Sequence, residues 1–187
     1  MTPEAIPRRI VIIDCEASCL AGDGRRSYPI EVAAGLPETG AIRSWLIKPE
    51  RQWLDEWDWH YEAELVHRLT RDHLLAHGLP RAQVARELRA FIGDRAVVSD
   101  YPPAEGYWLA VLFGEAQPWP VGALGALLDA IAGGGPPGQA MRALADAHAR
   151  HVAARTHRAG DDVRHMMIAL LELLRLAERG GSGHAPA

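Results

Sequence analysis

Arg9-Ile10-Val11-Ile12-Ile13-Asp14-Cys15-Glu16-Ala17-Ser18 is the stretch on which the fold turns. Arg9 to Asp14 is a β-branched apolar run ending on an acid, which predicts a buried strand. Asp14 and Glu16 stand two apart on that strand or at its end, so both side chains point to one face. Two carboxylates side by side repel unless cations neutralise them, and oxygen donors suit Mg2+ or Mn2+. Alone, an acid-x-acid pair at a strand end is most often a solvated terminus. Here the apolar run leads straight into the pair with no turn signal between.

Working outward, Tyr28–Leu36 (YPIEVAAGL) and Ala41–Lys48 (AIRSWLIK) read as two more strands. The Pro37-Glu38-Thr39-Gly40 turn between them predicts a hairpin. Residues 50–80 read as irregular, carrying Trp53, Trp57 and Trp59, with a short helix over Arg71–His77 that Gly78 closes. Val84, Leu88, Phe91 and Ile92 give Arg81–Ile92 a helical spacing, and Gly93-Asp94 ends it. Ala96–Ser99 is a short buried strand, and Pro102-Pro103 opens a helix through Phe113. Val121–Ile131 and Ala140–Ala153 read as helices around a Gly133–Gly138 loop. Asp161–Ala177, with its acidic start and leucine-rich body, is the clearest helix. Three strands, a helix, a strand and then helices predict an α/β fold, with a central mixed sheet covered by helices on its faces. Residues 1–179 are expected to form a single domain, and 180–187 (GGSGHAPA) a flexible tail.

The chain has 187 residues, enough for one domain burying roughly 70% of its unfolded surface. Apolar residues make up 48% and charged residues 24%, the balance of an ordinary globular protein. No apolar run approaches the roughly 18 residues of a membrane span, and Met1–Ala5 lacks signal-peptide features, so a cytoplasmic protein is expected. A net charge of −4 argues against a passive nucleic-acid coat, but not against an enzyme that grips a nucleic-acid end through metal ions. Cys15 and Cys19 are too close for an easy disulfide and too few for a zinc site. Cys15 is expected as buried filler, and neither thiol is given a catalytic role.

A second feature is His157-Arg158-Ala159-Gly160-Asp161-Asp162, a histidine five positions before an acid at a helix entry. Asp161 suits the first turn. Asp162 is then free to turn towards a metal, with His157 over the same spot. The plain alternative is an acidic helix start beside a loop histidine.

VIIDCEAS (11–18), SDYPPAEGYWL (99–109) and HRAGDDV (157–163) occur in that order. Together they resemble the three exonuclease motifs of the DEDDh (DnaQ-like, ribonuclease-T-like) 3'→5' exonucleases. IEVAA (30–34) and VHRLTRDHLLAHG (66–78) look like that family's second strand and its linker to the next helix. Each motif is weak alone; three in order, over about residues 8–175, are specific. The resemblance implies a ribonuclease-H-like three-layer fold and two Mg2+ (or Mn2+) ions. It also implies hydrolysis of the terminal phosphodiester of single-stranded DNA or RNA, releasing a nucleoside monophosphate, and relatives often form homodimers.

By the same resemblance Asp14, Glu16, Glu105 and Asp162 are the metal ligands, and His157 is the base that takes the proton from the attacking water. An imidazole's ordinary pKa near 6.5 suits that role. The middle motif departs from the family pattern, because Glu105 stands where an aspartate is usual. Its extra methylene can move a ligand by about an ångström, a shift worth roughly 10²-fold in rate. Asp100 is the fallback acid.

For the substrate, Ser18 is expected at the terminal sugar by analogy with the family, and Arg158 at phosphate. Trp57 is a candidate for base stacking. Asp55, Glu56 and Asp58 interleave that tryptophan cluster and repel phosphate, so packing and stacking readings both stand. An alternative from another class is a ribonuclease-H-like nucleic-acid- or partner-binding domain with weak or lost nuclease activity.

Overall fold

The computed structural model describes residues 6–115 and 119–181, and places the acid-bearing run at the centre of a five-stranded sheet. The elements are α1 (Ile6–Arg9), β1 (Ile10–Ala17), β2 (Pro29–Leu36), β3 (Ala41–Leu46), α2 (Arg51–Glu56), α3 (Tyr61–His67), α4 (Arg71–His77) and α5 (Arg81–Ile92). They continue with β4 (Ala96–Ser99), α6 (Pro102–Phe113), β5 (Val121–Ala123), α7 (Leu124–Ala132), α8 (Gly135–Val152) and α9 (Ala159–Gly181). The strand order is β3-β2-β1-β4-β5. Strands β1, β2 and β3 pair antiparallel, whereas β4 pairs parallel with β1 and β5 parallel with β4. This is the expected mixed α/β sheet, in the ribonuclease-H-like arrangement.

Strand periodicity sorts the two faces. Val11, Ile13 and Cys15 join Ile30, Val32 and Trp45 in one core, under α4, α5 and α6. Ile10 and Ile12 join the other core, with Ala33, Val98 and the buried faces of α7, α8 and α9. Asp14 and Glu16 continue this second register and emerge beside the start of α9. Val163, Met166, Met167, Leu170, Leu173 and Leu174 seat α9 on the sheet, each burial being worth about 1.5–3 kcal/mol. Both cysteines are free and buried.

Close approach fixes the seat of α9. A Cβ at Gly35 on β2 would lie 2.3 Å from Met167 Sδ and 2.5 Å from Val163 Cγ1. One at Gly160 would lie 2.5 Å from Ser44 Oγ on β3. The helix therefore runs against bare backbone where it carries Asp162.

Several expectations need correction. Residues 50–80 are more ordered than their mixed tryptophan and acid pattern suggests, with α2 and α3 preceding α4. Val121–Ala123 is a strand rather than the start of a helix, because it pairs with Val97–Ser99. Helix α8 begins at Gly135 inside the expected Gly133–Gly138 loop, with proline in its first turn where a missing N–H costs little. The expected tail is helical at Gly180 and Gly181, and 182–187 lie outside the described residues. Among the described residues, no helix is long and apolar enough to cross a membrane.

Candidate active site

Strand β1 is paired with β4 only through Ile12, opposite Val98, so the two strands part just before Asp14. In open α/β sheets such a parting, beyond the strands' carboxyl ends, is where ligands bind. A cavity of about 630 Å³ opens there, lined by Asp14, Glu16, Asp100, Glu105, Asp162 and His157 among others.

Asp14, Glu16 and Asp162 each bring a carboxylate oxygen to one place, all within 4.8 Å of one another. Two come from alternate positions of β1 and one from the first turn of α9. Asp162 Oδ1 also accepts the Thr156 amide at 3.1 Å, and Asp161 Oδ2 accepts the Thr156 hydroxyl at 2.7 Å. The loop before α9 is thereby folded back over the helix N-terminus. His157 sits in it with φ of 55°, a left-handed conformation rare outside glycine, and lines the cavity from the exposed side.

The electrostatics of this cluster ask for a cation. Burial, and then the neighbouring Glu105 and Glu16, hold the Asp14 carboxyl well above the usual carboxylate range. Burial, and then Asp162 and Glu31, push Glu16 up to about 8. Three hard oxygens facing each other in a half-dry cavity fit a divalent cation, whose charge would offset that repulsion.

Glu105 neighbours Asp14 but is not one of the three converging carboxylates. It is buried on α6, and its Oε1 accepts the Cys15 amide at 3.4 Å, a donor left without a β4 partner where the strands part. Its Oε2 is buried and has no partner among the described residues. Burial pushes the carboxyl up to about 8, against the pull of its bonds to Cys15. Asp100, at the end of β4, is ion-paired with Arg155.

Three expected substrate contacts sit elsewhere. Ser18 is fully buried, and its Oγ accepts the Tyr28 amide at 3.1 Å, so the side chain faces the core rather than the cavity. Trp57 packs at 6.4 Å from Tyr28 and 5.9 Å from Trp53, in an aromatic cluster that does not line the cavity. Packing wins for this cluster because Tyr28, fully buried, gives the indoles a floor. Arg158 is spent on Glu31: Nε to Oε2 at 3.0 Å and Nη2 to Oε1 at 2.8 Å, beside the Ala159 amide at 3.1 Å. It anchors the loop instead of reaching for phosphate.

Sequence reasoning passed over Leu20, His60, Val66, His67 and Arg155, all of which line the cavity. Leu20 and Val66 are exposed apolar side chains at its mouth. His67 is buried, its Nδ1 accepts the Leu69 amide at 3.0 Å, and its Nε2 has no partner among the described residues. Burial pushes that imidazole down to about 4, so it is neutral with its proton on Nε2. Its only sequence signal was its place in the VHRLTRDHLLAHG segment.

No protein-family model and no curated protein matches the chain. Solved structures do. E. coli exonuclease I in complex with a dT13 oligonucleotide aligns with a TM-score of 0.63 and 15% identity, over 94% of this chain and 43% of its own. A 3'-exonuclease solved in 3'-end-specific recognition of a histone mRNA stem-loop gives 0.64 and 16%, over 90% and 64%. S. pombe Pop2p, in a form bound to Mg2+ and Mn2+, gives 0.60 and 11%, over 98% and 89%. The chain spans less than half the length of the exonuclease I chains it matches, such as 43% here. It has the ribonuclease-H-like fold of these exonucleases.

Proposed function

We propose that this chain is a divalent-metal-dependent 3'→5' exonuclease of the DEDDh kind, trimming single-stranded DNA or RNA and releasing nucleoside monophosphates. The observation that carries the reading is the convergence of Asp14, Glu16 and Asp162 within 4.8 Å, beneath the loop that bears His157. The fold shared with exonucleases agrees with it. Residues 1–179 are read as one catalytic domain.

A divalent ion held by the three carboxylates would supply positive charge to the scissile phosphate and acidify a bound water. The chain's own part is positional. His157 takes the proton of the attacking water, whose oxygen bonds to phosphorus. The bond from phosphorus to the 3' oxygen of the penultimate nucleotide breaks, and that oxygen picks up a proton. The products are a nucleoside 5'-monophosphate and a strand one residue shorter with a free 3' hydroxyl. The exposed Leu20, Val66 and Tyr101 at the cavity mouth offer apolar surface to the terminal bases.

The test is incubation with end-labelled single-stranded DNA and RNA, in Mg2+, Mn2+ or EDTA. Stepwise loss from the 3' end, dependent on metal and abolished in Asp14→Ala, is expected. Intact substrate after exposure to folded, metal-loaded protein would overturn the reading. One observation favours a binding domain with weak activity instead: Glu105 is tied to the Cys15 amide. A large gain of rate in Glu105→Asp would mean that the natural residue detunes the site.

A further inference from the structure

The exonuclease resemblance implies two ions, but the residues present provide for one. Among the described residues, Asp14, Glu16 and Asp162 are the single group of three ligand atoms close enough to close on a cation. Of the two remaining acids of the cavity, Glu105 is sealed in and Asp100 is ion-paired. Glu105 gives Oε1 to the Cys15 amide, and its Oε2 is buried away from solvent. Asp100 holds the Arg155 guanidinium.

Arg155 is not a stray surface side chain. It lines the same cavity as Asp14, Glu105 and Asp162, and both Asp14 and Asp162 act on its charge. Its backbone is fixed as well. The next residue, Thr156, donates its amide to Asp162 at 3.1 Å and its hydroxyl to Asp161 at 2.7 Å. The guanidinium is thus held in this cavity by Asp100 at the end of β4, within electrostatic reach of Asp14 and Asp162. A guanidinium is always charged and presents several donors in a plane, which suits a phosphate oxygen.

We propose that the site takes a single divalent ion, at Asp14, Glu16 and Asp162, and that Arg155 supplies the second positive charge facing the scissile phosphate. This rests on the exonuclease reading for its substrate, but its central claim is a count of ions. Asp100 is then the positioning residue for Arg155, rather than a metal ligand in waiting.

The experiment counts ions directly. Protein stripped with EDTA is titrated with Mn2+, and free Mn2+ is read by electron paramagnetic resonance. One tightly bound ion per chain is expected for the wild type and for Arg155→Lys, which keeps the charge. Arg155→Gln is expected to bind two, because Asp100 is freed and the positive charge beside Asp14 and Asp162 is lost. The double variant Arg155→Gln with Asp100→Asn is expected to return to one. Thermal melts confirm that each variant is folded, and the wild-type count carries the test if Arg155→Gln is not. Two ions on the wild type, or one on Arg155→Gln, overturns the proposal. Two ions together with 3' trimming sinks this inference alone, whereas no ion and no trimming sinks the exonuclease reading with it.

Discussion

Glu16 and Glu31 face each other directly across the β1–β2 ladder, and of the two only Glu31 is fully engaged by protein donors. Like charges opposite one another on one sheet face are destabilising. Arg158 resolves half of the conflict through a two-pronged bond to Glu31. The other half, Glu16, is left protruding towards Asp162 and the cavity. One carboxylate of the pair fastens the loop before α9, and the other joins Asp14 and Asp162 in the cavity.

Arg158→Ala therefore acts on stability and on the site together. It leaves buried Glu31 with the Ala159 amide as its remaining partner. A fully buried pair costs about 3–5 kcal/mol to break. The Arg158 side chain is 42% exposed, so a loss of about 2 kcal/mol is expected in urea unfolding. Trimming should fall too, because His157 and Asp162 flank the lost anchor. Glu31→Gln, which keeps one acceptor and turns a donor towards Arg158 or Ala159, should lie between. Unchanged midpoints in both variants would refute the anchor.

The metal-free protein should lose stability as pH rises. Glu16 and Glu105 both stand near 8 when folded, against an ordinary 4.5, and Asp14 is raised as well. These three raised acids outweigh His67, whose lowered pKa works the other way between about 4 and 6.5, so the folded state holds more protons and stability falls with pH between about 4.5 and 8. This contribution is complete below the unfolded pKa and gone above the folded one. Melting temperatures in EDTA should fall across that window, and Glu105→Gln, which cannot ionise, should flatten the fall. Mn2+ should raise the melting temperature more at pH 8 than at pH 5.5, since it compensates charge that exists only at the higher pH. A flat profile in EDTA would contradict these environments.

How much of this could be read from the chain depends on the distance between the partners. The β1 pair was legible because two acids two apart must share a strand face, and α4, α5 and α6 were legible because period and caps agree. The anchor was not, because Glu31 and Arg158 are separated by 127 positions and each alone looks like an ordinary surface charge. Strand β5 was hidden because three residues, one of them Gly122, run directly into a leucine helix. Only β4 beside them makes them a strand. Arg155 was overlooked for the same reason: nothing local marks an arginine whose partner, Asp100, lies 55 positions earlier.

His157→Ala separates chemistry from ion binding. The imidazole lines the cavity but is not among the three converging side chains. Loss of a general base usually costs about 10²–10⁴ in rate. The variant should bind Mn2+ as the wild type does and trim at least about 10²-fold more slowly. Wild-type turnover in this variant would remove His157 from the mechanism, whatever its metal content.

Gly35→Ala tests whether the seat of α9 matters to the site. The added methyl would lie 2.3 Å from Met167 Sδ and 2.5 Å from Val163 Cγ1, so something must move. Met167 is a flexible side chain and can swing its sulfur away. Val163 is β-branched and stiff, so the strain passes to the helix backbone. Overpacking of this kind typically costs about 1–3 kcal/mol. Val163 follows Asp162 directly, so lifting the helix here also draws a carboxylate away from Asp14 and Glu16. The variant is expected to melt lower and to bind Mn2+ more weakly, with the two losses appearing together. A variant that is destabilised but binds Mn2+ as tightly as the wild type would show that Asp162 is held by the Thr156 loop instead of by the packing of α9 on β2.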